Sequence, residues 1–202
     1  SQDTMNAVFS LLFGSFHGDW DAQNNVMRAM IAQGDVTLTC GWAGRPHWWL
    51  HHMGLGETIG HSFRKTVNNP PFNNAIYQPQ NFGSNGIWLN ILGDPALRMQ
   101  YPAPAQNLQA SVNQPSPSDA PTVNLTWQAA NGPVAGYHVY RALGPDEPFQ
   151  RLTNQPLMAT SFSDNSPTAD TLAYYMVRSV KLDTTASGTY WNLGTGRWDT
   201  TA

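Results

Sequence analysis

The sequence predicts an α/β sheet domain followed by an all-β sandwich. Before Pro102-Ala103-Pro104, continuous apolar runs alternate with stretches of helical periodicity. After it, short Val-, Thr- and Tyr-rich runs are separated by Pro, Gly, Asn or Asp, as in an antiparallel sandwich. Five of the six histidines fall between His17 and His61, so the two parts also differ in chemistry. The expected domains are 1–102 and 103–202.

In the first part, 8–13 is a continuous apolar run, the pattern of a strand covered on both faces. Ala22, Val26, Met27, Met30 and Ile31 then recur at helical spacing, with Asp19 or Asp21 as the expected N-cap and Gly34 as the stop. A second strand is expected at 36–40. A helix is expected over 48–66, with Leu55, Ile59 and Phe63 on one face, although Gly54, Gly56 and Gly60 oppose it. The Asn- and Pro-rich stretch 68–86 reads as a long loop, and 87–92 as a last strand before "GDPALRM". Asp94 there suits a turn before Pro95. Three strands make a thin parallel or mixed sheet, to be completed by upstream chain, by a second subunit or not at all.

In the second part, strands are expected at 107–112, 122–128, 136–142, 149–153, 161–164, 173–182 and 187–192. Within them "VNLTW", "GYHVYRA" and "YYMVRSV" resemble strands of fibronectin type III domains. The resemblance spans about 100 residues. It implies that Trp127, Tyr137 and Val139 are core and that Tyr175 holds a loop corner.

Composition narrows the function. Charged residues are 11% with a formal net charge of −3, so no basic stripe exists for nucleic acid. No apolar run reaches the length of a membrane span. A single Cys40 excludes an intramolecular disulfide. Eight Trp and seven Tyr among abundant polar loop residues suit an extracellular or cell-surface protein. No signal-peptide pattern is seen, and the start at Ser1 suggests sequence upstream.

"LLFGSFHGDW", "NNVMRAMIAQGDVTLTCGWAG" and "LGDPALRM" resemble, in order, the carboxyl-terminal half of gingipain-like peptidases, a caspase-like α/β fold. An immunoglobulin-like sandwich follows in that family, as here. The resemblance puts the family's catalytic Cys position on Ser15 and its Gly-Asp on Gly18-Asp19. The family's catalytic His lies upstream of this chain's first residue. The resemblance therefore implies the fold more strongly than the Cys–His chemistry, since a Ser hydroxyl needs a stronger base than a thiol.

Candidate chemistry centres on three groups. Ser15 reads as a nucleophile with His17 or His51 as base and Asp19 as orienting group, or as a small residue at a strand-to-helix turn. "FGSFHG" departs from the nucleophile-elbow pattern, because Phe13 stands where Gly is needed. His47 and His51, four apart, would share a helix face, but no H-E-x-x-H or supporting ligand accompanies them. No metal and no cofactor is expected. Trp42, Arg45, Trp48 and Trp49 in "GWAGRPHWW" suit a substrate pocket for a peptide or a glycan, or a packed edge. Cys40 reads as a buried, inert thiol.

Three functional readings follow. The first is a fragment of a secreted, bacterial-type gingipain-like protein acting in binding or scaffolding. The second is a hydrolase using Ser15 with a His from 47–61. The third is an aromatic-lined carbohydrate-binding surface around Trp42, Trp48 and Trp49.

Overall fold

The computed structural model describes residues 7–12, 17, 21–32, 38–43, 48–69, 88–167 and 172–201. The chain folds as two compact units, Ser1–Met99 and Gln100–Ala202. Among the described residues, no helix is long and apolar enough to cross a membrane.

The first unit contains β1 (Phe9–Leu11), α1 (Val26–Ile31), β2 (Leu38–Ala43), a 3-10 helix (Leu50–Leu55), α2 (Ile59–Val67) and β3 (Trp88–Leu92). Its sheet is mixed, in the order β1-β2-β3: β1 runs parallel to β2, and β3 antiparallel to it. The expectation that the first apolar run is covered on both faces holds at the centre of β1 but not along the whole run. Ser10 is buried and Phe9 packs on the opposite face, while Val8 and Leu11 are 45% and 43% exposed; among the described residues β1 is an edge of the sheet.

The N-cap of α1 is also corrected. Asn25, not Asp19 or Asp21, accepts the Arg28 amide through its side-chain oxygen (3.2 Å), and its Nδ2 donates to the His17 carbonyl (3.0 Å). An amide can accept and donate at once, whereas an ionised carboxylate only accepts. Met27 and Met30 form the buried face of this helix.

The single helix expected over 48–66 is two elements. Gly56 adopts a left-handed conformation (φ 84°) that ends the 3-10 helix. Thr58 then caps α2, its hydroxyl accepting from the His61 amide at 3.1 Å. The segment after β3 completes that cap: Pro95 and Leu97 carbonyls accept from the Gly60 and Ile59 amides, each at 2.9 Å. A Cβ at position 60 would sit 2.8 Å from the Pro95 oxygen, so this contact requires glycine. Asp94 forms the expected turn, its Oδ1 accepting from the Ala96 amide at 2.8 Å. Met53 and Ile59 are the buried centre here, with Phe9, Trp48, Leu50, Ile91 and Leu97 packed around them.

The second unit is a fibronectin type III-like sandwich. Its strands are β4 (Gln106–Asn113), β5 (Thr122–Gln128), β6 (Gly136–Ala142), β7 (Gln150–Arg151), β8 (Ser161–Asp164), β9 (Tyr174–Thr185), β10 (Gly188–Leu193) and β11 (Arg197–Thr200). One sheet has the order β4-β5-β8 and the other β10-β9-β6-β7, the Greek-key partition of this sandwich class. Every strand expected here is present: 122–128, 136–142 and 161–164 with the expected bounds, the others with shifted ends. The sequence reading missed β11, which pairs with Tyr174–Val177 of β9 beyond an irregular step after β10. Asp199 on β11 also accepts the Ala110 amide of β4 (2.9 Å), linking the two sheets along their edge.

Trp127, Tyr137 and Val139 are core, as expected, and Tyr175 and Val177 join them on the inward face of β9. Trp127 and Tyr137 meet edge to face at 5.5 Å, and the Tyr137 hydroxyl accepts the Ala130 amide (2.9 Å). One end of the interior is polar. Asn192, fully buried, donates to Asp183 (2.8 Å) and to the Gln100 carbonyl (3.3 Å), while the Ser179 hydroxyl donates to the Ala103 carbonyl (2.6 Å). These bonds fasten residues 100–103 to the sandwich and satisfy polar groups that would be costly to bury alone.

Candidate functional site

In the first unit, the predicted site residues divide into those the structure places and those outside the described residues. Ser15, Asp19, Arg45 and His47 lie outside them. Trp42 lies on β2, opposite Leu89 of β3. The ring Nδ1 of His17 is buried with no hydrogen-bond partner among the described residues, and its carbonyl is held by Asn25. His17 thus sits where the chain approaches α1, while Ser15 and Asp19 lie outside the described residues.

His51 joins a different group from the one expected. The His51 and His52 rings are 4.0 Å apart, His52 and His61 are 5.1 Å apart, and His61 Nδ1 is 3.5 Å from a Glu57 carboxylate oxygen. The chain break at Gly56 folds the 3-10 helix against α2 and makes this stack. Burial, then the neighbouring His51, His61 and Lys65, hold the His52 imidazole below its ordinary value. No group of three or more His, Cys, Asp or Glu side chains with metal-holding geometry occurs among the described residues.

Trp48 packs against Phe63 with ring centroids 6.0 Å apart, in the Met53–Ile59 centre. The Trp49 amide donates to the Thr66 hydroxyl (3.0 Å). Both residues are half-buried and their role here is to join the 3-10 helix to α2.

Among the described residues, the second unit carries a recess on the outer face of its larger sheet. On β10 the buried Asn192 points inward, so its neighbours Trp191 and Leu193 point outward, beside Leu182 and Val180 of β9. Trp191 is 58% exposed and Leu182 51%. Trp191, Leu193, Val180 and His138 line a recess of about 290 Å³ with Arg151, Asn154 and Gln155. The segment carrying these last three is pinned at both ends: Leu152 bonds Val139 once, and Leu157 and Tyr137 exchange two hydrogen bonds, each at 2.8 Å. Gly136 permits this approach, since a Cβ there would meet the Leu157 carbonyl oxygen at 2.7 Å.

The electrostatics of the recess are simple. His138 is buried, with Nδ1 2.9 Å from the Thr153 hydroxyl. Burial first, then the Arg151 charge, lowers its affinity for a proton, so the ring is neutral at pH 7. Among the described residues, Arg151 is the one charged side chain lining the recess. Nearby charges are already paired: Lys181 with Asp183 at 2.6 Å, and Arg178 to the Gly194 carbonyl at 2.8 Å. A second recess, of about 350 Å³ beside the β6–β7 turn, has its Arg141 committed to Asp164 and the Ser166 carbonyl. The sequence reading missed the Trp191 recess. The available signal was alternation: in "GTYWNL" a Trp falls out of phase with an inward Asn, which a solvent-facing sheet surface does not need.

No family model and no curated protein matches the chain. Solved structures do. A fibronectin type III-like protein from Clostridium thermocellum matches at 23% identity and a TM-score of 0.38, over 51% of this chain and 94% of that one. The FN5 domain of Drosophila Lar matches at 18% and 0.30, over 50% and 96%. A human collagen XX FN3 domain matches at 18% and 0.31, over 54% and 99%. These likenesses concern the sandwich alone, whose class follows from its strand order. None of them supports a caspase-like first unit.

Proposed function

We propose that this chain is a binding module of a secreted multidomain protein, working through the outer face of the β10-β9-β6-β7 sheet. The observation that carries this reading is the half-exposed Trp191, held beside Leu182 over a recess with a pinned polar rim. An isolated exposed apolar side chain needs no explanation, but a Trp joined to a recess and an exposed Leu marks a contact surface. Trp is also the residue type that most often concentrates binding energy.

The first unit, in this proposal, is a partial caspase-like sheet without the Cys–His pair, and serves as scaffold. That assignment rests on its sequence motifs. The exposed edge of β1 suits pairing with an upstream segment or a second subunit. The extracellular setting is part of the same proposal.

The test is retention of the full chain on an array carrying both peptides and glycans, compared with Trp191→Ala and Ser15→Ala. Binding lost with Trp191→Ala and kept with Ser15→Ala supports the reading. Ser15-dependent turnover of ester or peptide substrates, or retention indifferent to Trp191, overturns it.

A further inference from the structure

We infer that the Trp191 recess is a saccharide site that takes a pyranose ring, with Arg151 favouring a ring that carries a carboxylate. The inference rests on the binding reading above and names the ligand class. Three observations lead to it.

First, the recess pairs a flat aromatic surface with planar hydrogen-bonding groups. Trp191 offers a large exposed face. The Arg151, Asn154 and Gln155 side chains make no hydrogen bond or ion pair among the described residues, although all three line the recess. Amides supply donors and acceptors together, and a guanidinium supplies a fork of donors. A sugar ring has the complementary form: apolar C–H groups on its faces and hydroxyls around its rim.

Second, this chemistry separates a sugar from a second protein copy. An apolar protein face covering Trp191 and Leu182 would also dry Arg151, Asn154 and Gln155 without satisfying them, which opposes association. A ring of hydroxyls satisfies them. A volume of about 290 Å³ holds one ring and part of a second.

Third, the rim is pre-organised. The paired bonds between Tyr137 and Leu157, and the Leu152–Val139 bond, hold the 152–157 segment on β6 before any ligand arrives. Little backbone ordering entropy then opposes binding, which has only the three side chains left to fix. With His138 neutral, Arg151 leaves the recess one net positive charge, and a carboxylate can bond its guanidinium in a bidentate manner.

The experiment titrates the isotope-labelled full chain with a neutral disaccharide, cellobiose, and with a uronic-acid disaccharide. The Trp191 indole N–H resonance, assigned by its loss in Trp191→Phe, reports occupancy, and the Gln155 side-chain amide resonance reports it in every variant, including those that lack Trp191. Both sugars are expected to shift it, with Kd on the order of 0.1–1 mM. The uronate should bind at least threefold more tightly, and Arg151→Ala should erase that difference while sparing cellobiose. Trp191→Ala should weaken both at least tenfold, and Asn154→Ala, on an exposed loop, provides an independent variant expected to weaken both. No shift with either sugar at 20-fold above that range, or equal affinity in Trp191→Ala, overturns the inference. So does self-association that broadens the same resonance. Trp191-dependent retention of peptides alone on the array would refute the saccharide class and leave the binding module standing.

Discussion

The Tyr175 hydroxyl donates a 2.8 Å hydrogen bond to Oδ2 of Asp164, joining the start of β9 to the end of β8 across the two sheets. Arg141 reaches the same oxygen at 2.6 Å, so one buried carboxylate gathers three strands. Tyr175 is fully buried, and burial, then Asp164, pushes its phenol well above its ordinary range. Removing the hydroxyl with Tyr175→Phe should cost about 1 kcal/mol, because Arg141 still neutralises Asp164. Asp164→Ala should cost more, roughly 3 kcal/mol, since it strands both partners. Urea unfolding of the two variants measures the difference; equal losses would mean that Tyr175 acts through packing alone.

Stability should fall on mild acidification. His138 and His52 both hold protons less well than a free imidazole, chiefly through burial. Their contribution is therefore complete above the unfolded value of 6.5 and declines as pH drops below it, because the unfolded chain takes up protons first. Denaturation midpoints at pH 7.5 and pH 5.5 should show this. His138→Gln should flatten the decline in the sandwich and His52→Asn should flatten it in the first unit; an unchanged slope in both would rule out these histidines as its source.

A second acid-sensitive step lies lower. Hydrogen bonds from Lys181 and then Asn192 hold the Asp183 carboxyl below its ordinary value of 3.8. Its stabilisation is present above that pH and is lost as pH falls through the lowered value. Asp183→Asn should remove this limb of the pH profile and loosen the Asn192–Gln100 bond, seen as faster amide exchange around residues 100–103.

Gly194 should resist substitution. A Cβ there would clash with the Ser179 side chain and lie 2.9 Å from the Pro102 oxygen. Gly194→Ala is expected to destabilise the sandwich by roughly 1–3 kcal/mol through overpacking, whereas Gly132→Ala meets no atom and costs only the strain of its positive φ. Equal thermal midpoints for the two would contradict the close approach.

In the first unit, Thr58→Ala should destabilise by about 1 kcal/mol, the usual cost of an N-cap. The same change should separate the 3-10 helix from α2 and spread the His51, His52 and His61 imidazole resonances. Unaltered ring shifts would show that the stack does not depend on the cap.

Much of this architecture was legible in the chain. Alternation in "VNLTW", "GYHVYRA" and "YYMVRSV" determined which side chains face the sandwich core, because a strand's period of two leaves one inward set. The Asp94-Pro95 turn was equally local. What failed was what depends on partners distant in sequence. Apolar residues at 8–13 cannot say where along a strand its cover ends. Spacing cannot show that Pro95 and Leu97 would cap α2 and leave two short helices in place of one. The candidate site shows the same divide. The sequence by itself determined the sandwich, the residues that face its core and the low charge of the chain. Only the tertiary structure decided that Arg151, Asn154 and Gln155 meet Trp191, about forty residues later, because β6 and β9 lie side by side and bring the β7 segment and β10 to one face.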